Sequence, residues 1–301
     1  MASDPAQPLG PSDGHASMHG SEHDTAYYNA QYNARATVPD HAAIFARWAA
    51  EGAAARRAAP AYCDLVYGPA PAERLDYFPA ENRGAPLLVF LHGGFWRALD
   101  KNDFAWMAAP FNARGVAVAV VNYGLAPATP MEEIVRQCLR ASDWLWHHAG
   151  TLGFARERMV VSGHSAGGHL GAMLLCAQWE HWASDLPRAL YCGAVLVSGL
   201  YDLDPVMRSD TLNVDLRLTP ERALALSPLF MPPAARVPVI TAVGGRETDE
   251  FKRQTSIYRE AWPDLQRDFV EGWNDHHFSI CERLAEPDHP LFEKTVALCR
   301  G

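Results

Sequence analysis

The stretch Met159-Val160-Val161-Ser162-Gly163-His164-Ser165-Ala166-Gly167-Gly168-His169-Leu170 decides the fold. A short apolar run, Met159–Val161, leads into G-x-S-x-G, and a helical pattern follows over 166–178. A strand that turns sharply into a helix needs glycines on both sides of the turn, because a side chain at Gly163 or Gly167 would clash across it. Such a turn lifts the Ser165 hydroxyl above the carboxyl edge of a sheet. It also aims the N-terminus of the helix, with its partial positive charge, at whatever binds there. Ser165 is therefore the candidate nucleophile.

Outward from this turn, strands and helices alternate. Residues 86–91, 116–121, 159–161, 194–197 and 237–243 are nearly continuous apolar runs, as expected of strands buried on both faces of a parallel sheet. Helical patterns over 103–113, 131–148, 166–178 and 250–262 separate them. Residues 61–67 and 74–78 read as two further strands, an antiparallel hairpin at one sheet edge. Residues 40–58 read as a helix with an apolar stripe at Ile44, Phe45 and Trp48. That helix either packs on the core or overhangs the site as a lid. Residues 201–233 are irregular and rich in Pro and Leu, and read as a connection over the top of the site. Alternation of this kind predicts a mostly parallel central sheet with helices on both faces. With the serine turn it predicts the α/β-hydrolase fold, as one domain over 26–301. Residues 1–25, rich in Gly, Ser, Pro, Asp and His without an apolar period, read as a disordered tail.

A serine nucleophile needs an oxyanion site, a base and an acid. One N–H donor in this fold belongs to the residue after the nucleophile, here Ala166, and others come from a glycine loop after an earlier strand. His92-Gly93-Gly94-Phe95-Trp96 follows the 86–91 run, so Gly93 and Gly94 are the candidates. Losing one such donor typically costs about 10²–10³ in rate. The base belongs after the last strand, in chain order Ser, acid, His. Asp275-His276-His277-Phe278 follows the expected strand 266–271. His277 is favoured over His276 because the apolar segment beginning at Phe278 can anchor it. The acid belongs in Gly244-Gly245-Arg246-Glu247-Thr248-Asp249. Glu247 precedes the helix and is favoured, while Asp249 and Thr248 stand at natural N-cap positions. Asp249, Asp275 and Asp202 remain alternative acids.

Composition narrows the class. The chain has 301 residues with a formal net charge of −9, so no basic face for nucleic acid is expected. No run approaches the roughly 20 apolar residues of a membrane span. The N-terminus shows no charged leader followed by an apolar run, so a cytoplasmic protein is expected. Six scattered cysteines lack metal-ligand spacing and read as reduced thiols. No metal or organic cofactor is expected. The partner expected is a small-molecule ester or amide.

HGGFW, GHSAGGHL, GGRETDEFKRQ and DHHF together resemble the serine-hydrolase type of arylformamidase (kynurenine formamidase), a family related to the hormone-sensitive-lipase branch of the α/β-hydrolases. The resemblance runs from about Tyr27 to the C-terminus. It implies Ser165 as nucleophile, Glu247 at the acid position and His277 as base, with the H-G-G-x-W motif at His92–Trp96. The acid is Glu here, where Asp is common among the animal enzymes. The family hydrolyses N-formylkynurenine to kynurenine and formate, and many relatives cleave small aryl and alkyl esters. Phe95, Trp96 and Tyr123 either wall an aromatic substrate pocket or are core aromatics. The alternatives carried forward are a general carboxylesterase and a non-catalytic ligand-binding protein of the same fold.

Overall fold

The computed structural model of the protein describes residues 23–301 apart from Ala59. The expected tail lies outside the described residues up to position 22. Its last residues do not belong to a tail: helix α1, Thr25–Gln31, starts at Thr25, and the Asp24 carboxylate caps it by accepting from Tyr27 N at 2.8 Å. Seven residues carry too few turns for an amphipathic period to show.

The sheet has eight strands among the described residues: β1 Tyr62–Val66, β2 Arg74–Phe78, β3 Ala85–Leu91, β4 Ala117–Val121, β5 Phe154–His164, β6 Gly193–Val197, β7 Val239–Gly244 and β8 Gln266–Gly272. Their order is β1-β2-β4-β3-β5-β6-β7-β8. β1 and β2 pair antiparallel, β2 joins β4 antiparallel, and every pairing from β4 to β8 is parallel. The expected edge hairpin and parallel core are both present. β5 is longer than its apolar run, because Phe154 already pairs with Ala85.

The helices after α1 are α2 His41–Arg57, α3 Ala108–Ala113, α4 Met131–Leu152, α5 Ala166–Cys176, α6 Trp179–Trp182, α7 Asp204–Met207, α8 Asp210–Leu216, α9 Pro220–Ala225, α10 Asp249–Ala261, α11 Ser279–Arg283 and α12 Pro290–Arg300. The helix expected over 103–113 is only α3, preceded by two 3₁₀ turns. The stretch expected to be irregular, 201–233, carries α7, α8 and α9. Helices lie on both faces of the sheet. The Cα of Gly193 faces Leu298 of α12, while Leu196 of the same strand packs against Gly171 of α5. Residues three apart on a strand point to opposite faces.

β3, β4, β6 and β7 are buried along their full length. α2 packs on the core: Trp48 is 1% exposed, its ring lies 5.2 Å from that of Phe104, and its Nε1 donates to Glu282 at 2.7 Å. Truncating such a tryptophan costs about 3–5 kcal/mol in a typical core. The parallel strands end together at one edge, where the loops after β3, β5, β7 and β8 converge.

Candidate active site

The turn after β5 has the strained geometry that the glycines foretold. Ser165 sits at φ 57°, ψ −119°, a conformation that L-residues avoid without support. Support comes from the Ser165 N–H, which donates to Val197 O at 2.8 Å, and from close packing around the turn. A Cβ on Gly163 would lie 2.1 Å from Gly167 O, and one on Gly167 would lie 1.9 Å from Leu91 O. α5 begins at Ala166, so the first-turn N–H groups next to Ser165 have no intrahelical acceptor.

The loops after β7 and β8 bring two expected residues together. Nδ1 of His277 donates to Oε2 of Glu247 at 2.6 Å. The other carboxylate oxygen, Oε1, accepts from Ser198 Oγ at 2.6 Å and from Gly244 N at 2.7 Å. The Glu247 side chain is wholly buried, and a buried carboxylate needs such donors. The His277 ring is walled by Phe251 at 4.2 Å, His164 at 4.6 Å and Phe278 at 5.5 Å. His164 adjoins Ser165 in the chain, and its Nε2 donates to the His277 carbonyl at 2.8 Å. Nucleophile and base candidates thus share one buried place.

The competing side chains are engaged in other contacts. The Asp249 side chain is 83% exposed and lies 3.7 Å from Lys252 on the surface. Asp275 pairs with Arg283 at 3.0 Å, and Asp202 Oδ1 accepts from Asp204 N. His276 caps the start of α11, its Nδ1 accepting from Phe278 N at 3.2 Å and Ser279 N at 3.1 Å. Thr248 is the N-cap residue of α10, but its hydroxyl does not cap; it donates to Gln31 O at 2.7 Å and ties α1 to the acid loop. These contacts set an expectation. Glu247→Gln lowers kcat by roughly 10²–10⁴ with KM near wild type, because an amide can hold the wrong imidazole tautomer. Asp249→Asn, on the surface, leaves kcat nearly unchanged. Steady-state kinetics on both variants checks this, and a strong loss at Asp249 alone moves the acid along the turn.

The glycine loop lies against the serine. A Cβ on Gly93 would lie 3.1 Å from His164 Nδ1 and 3.3 Å from Ser165 Cβ, closer than ordinary van der Waals contact, so glycine lets the loop pack tightly on the serine turn. Gly94 has φ +108°, and a Cβ there would lie 2.1 Å from Ala98 O, so only glycine fits. Phe95 and Trp96 also have positive φ, at 49° and 55°. Bulky residues held there cost energy, and such strain clusters at functional loops.

The same strain corrects the expected aromatic pocket. Trp96 points inward and has no exposed surface. Its Nε1 donates to His169 Nδ1 at 3.2 Å, and His169 Nε2 donates to Leu226 O at 2.7 Å. Burial pulls the His169 pKa down to about 4, so it is a neutral link between the loop and α9 at pH 7. Tyr123 is likewise in the core, stacked on His92 at 4.2 Å with its hydroxyl donating to His92 O at 2.6 Å. Neither residue lines a pocket; both brace the glycine loop from behind. Phe95 is half-buried, edge-on to Tyr32 at 6.5 Å and 6.3 Å from Phe251, whose ring packs on His277. The sequence does not mark Tyr32, Phe251, Ser198 or His164. Their parts depend on which strands and loops end side by side, which no local pattern encodes.

Among the described residues no cluster of three His, Cys, Asp or Glu side chains could hold a metal ion, and no helix is long and apolar enough to cross a membrane. All six cysteines are unpaired.

The chain is similar to known proteins in sequence and in fold. A family model described as BD-FAE matches residues 75–185. Kynurenine formamidase of Salmo salar is 33% identical over 247 residues, 79% of this chain and 81% of its own. The chain belongs to the kynurenine formamidase family. It is a hydrolase of the α/β-hydrolase fold. A crystal structure of a Silicibacter sp. protein assigned as a thioesterase superposes with a TM-score of 0.78 at 32% identity, covering 94% of this chain and 100% of that one. An esterase of Pyrobaculum calidifontis shares the fold at TM-score 0.66 and 17% identity, over 92% and 93% of the two chains.

Proposed function

We propose that this family member hydrolyses an aryl formamide of the N-formylkynurenine type to the free aromatic amine and formate, through a formyl-enzyme at Ser165, as a cytoplasmic enzyme. The observation that carries the reading is the buried Nδ1–H···Oε2 bond of 2.6 Å between His277 and Glu247 beside the Ser165 turn. That bond commits Nδ1 as donor and leaves Nε2 basic. Ser165 Oγ attacks the formyl carbon, and its proton passes to His277 Nε2. Glu247, held by Ser198 and Gly244, stabilises the imidazolium. The N–H groups of Ala166, Gly93 and Gly94 receive the oxyanion. His277 then protonates the departing nitrogen, and the amine leaves. Water, deprotonated by His277, attacks the formyl-enzyme; collapse releases formate and regenerates Ser165.

The ester reading rests on a specific observation as well, since a 32%-identical relative is assigned as a thioesterase. The same oxyanion forms from an ester, so the two readings differ in substrate and share the machinery. The non-catalytic reading is disfavoured, because candidates for nucleophile, base and acid are all present and two of them are bonded to each other. Comparison of kcat/KM for N-formylkynurenine and for 4-nitrophenyl acetate tests the proposal. A clearly larger value for the formamide is expected; ester turnover with no formate release from the formamide makes the protein a carboxylesterase.

A further inference from the structure

We infer that His164, the residue before the nucleophile, is a positioning residue that fixes the base His277 through its backbone carbonyl. The inference rests on the reading of Ser165 and His277 as nucleophile and base. His164 is 3% exposed, on the last residue of β5, and its side chain reaches across the site instead of into the core of the sheet. Its Nε2–H donates to the His277 carbonyl at 2.8 Å. Its ring lies against the His277 ring, with centroids 4.6 Å apart. On its other side, Nδ1 would be 3.1 Å from a Cβ on Gly93, so the missing side chain there makes room for the ring. One imidazole thus touches the loops that carry nucleophile, base and glycine motif.

The chemistry suits the place. The His277 carbonyl is buried, and a buried carbonyl needs a donor. The donor has to be neutral, because His277 becomes a cation during turnover and a second charge at 4.6 Å would oppose it. Burial first, and then the neighbouring His277, hold the His164 pKa well below the usual histidine range. His164 therefore supplies a hydrogen-bond donor without a charge. Side chains that lock a reacting group matter at this scale, since a displacement of about 1 Å can cost 10²-fold in rate.

Two polar substitutions separate positioning from packing. Glutamine carries its amide nitrogen at about the reach of the histidine Nε2, whereas asparagine falls short. His164→Gln is expected to keep most of the wild-type kcat/KM for 4-nitrophenyl acetate. His164→Asn and His164→Leu are expected to lose on the order of 10²-fold, with the rate of fluorophosphonate labelling falling in step. The downfield proton resonance of the His277 Nδ1–H should persist in His164→Gln and be lost in His164→Asn at matched thermal stability. Equal kcat/KM in His164→Gln and His164→Asn, or a loss that follows only the melting temperature, overturns the inference while the serine mechanism stands. A wild-type protein that fluorophosphonate does not label overturns the serine mechanism and the inference with it.

Discussion

Ser165→Ala is expected to give a folded protein that turns over neither formamide nor ester, with kcat down by roughly 10⁴–10⁶, the scale seen when the nucleophile of a serine hydrolase is removed. The fold should survive. Alanine keeps the Cβ and suffers no more strain at φ 57° than serine does, and the Ser165 N–H···O=C Val197 bond does not use the side chain. The hydroxyls of Ser198 and Ser162 cannot take over. Ser198 Oγ is spent on Glu247, and Ser162 Oγ is fully buried within β5. Retention of more than a few per cent of wild-type kcat, with circular dichroism unchanged, would remove Ser165 from the mechanism.

His277→Ala is expected to be nearly as damaging, because triad members act as a unit and the serine is weak without its base. The Glu247 carboxylate would keep Ser198 and Gly244 as donors but lose the partner it orients. His276→Ala tests the other half of the pair. Its Nδ1 accepts two backbone N–H groups at the start of α11, so its loss costs about 1 kcal/mol of stability and little kcat. Kinetics separate the two variants: His277→Ala is dead, whereas His276→Ala stays active and is only slightly weakened in urea unfolding. The reverse pattern reassigns the base.

These roles were legible in the sequence to different depths. The serine turn and the alternating runs were read directly, because G-x-S-x-G after an apolar run constrains the backbone whatever surrounds it. Glu247 and His277 were placed by chain order and by their position at the ends of strands, and the bond between them joins residues 30 apart. The aromatics were harder. Trp96 closes the H-G-G-x-W motif at a positive φ, but its ring turns inward onto His169, and no residue type announces that. α7, α8 and α9 leave no sequence signal, because four to seven residues cannot show a helical period, and Pro205 and Pro220 read as breakers although they stand in first turns. α1 is illegible in the sequence for a tertiary reason. Its short helix is held by Asn29 on the α8 end, where Ser209 Oγ donates to Asn29 Oδ1 at 2.8 Å, and by Gln31, which meets Thr248 and Glu250. Those partners lie about 180 to 220 residues away.

The mass of the trapped enzyme tests the central claim most directly. A fluorophosphonate probe should add one phosphonyl group per chain. Peptide mapping should place it on Ser165, with no adduct in Ser165→Ala and only slow labelling in His277→Ala. An adduct on another residue, or none on the folded wild-type protein, would contradict a serine mechanism at this site.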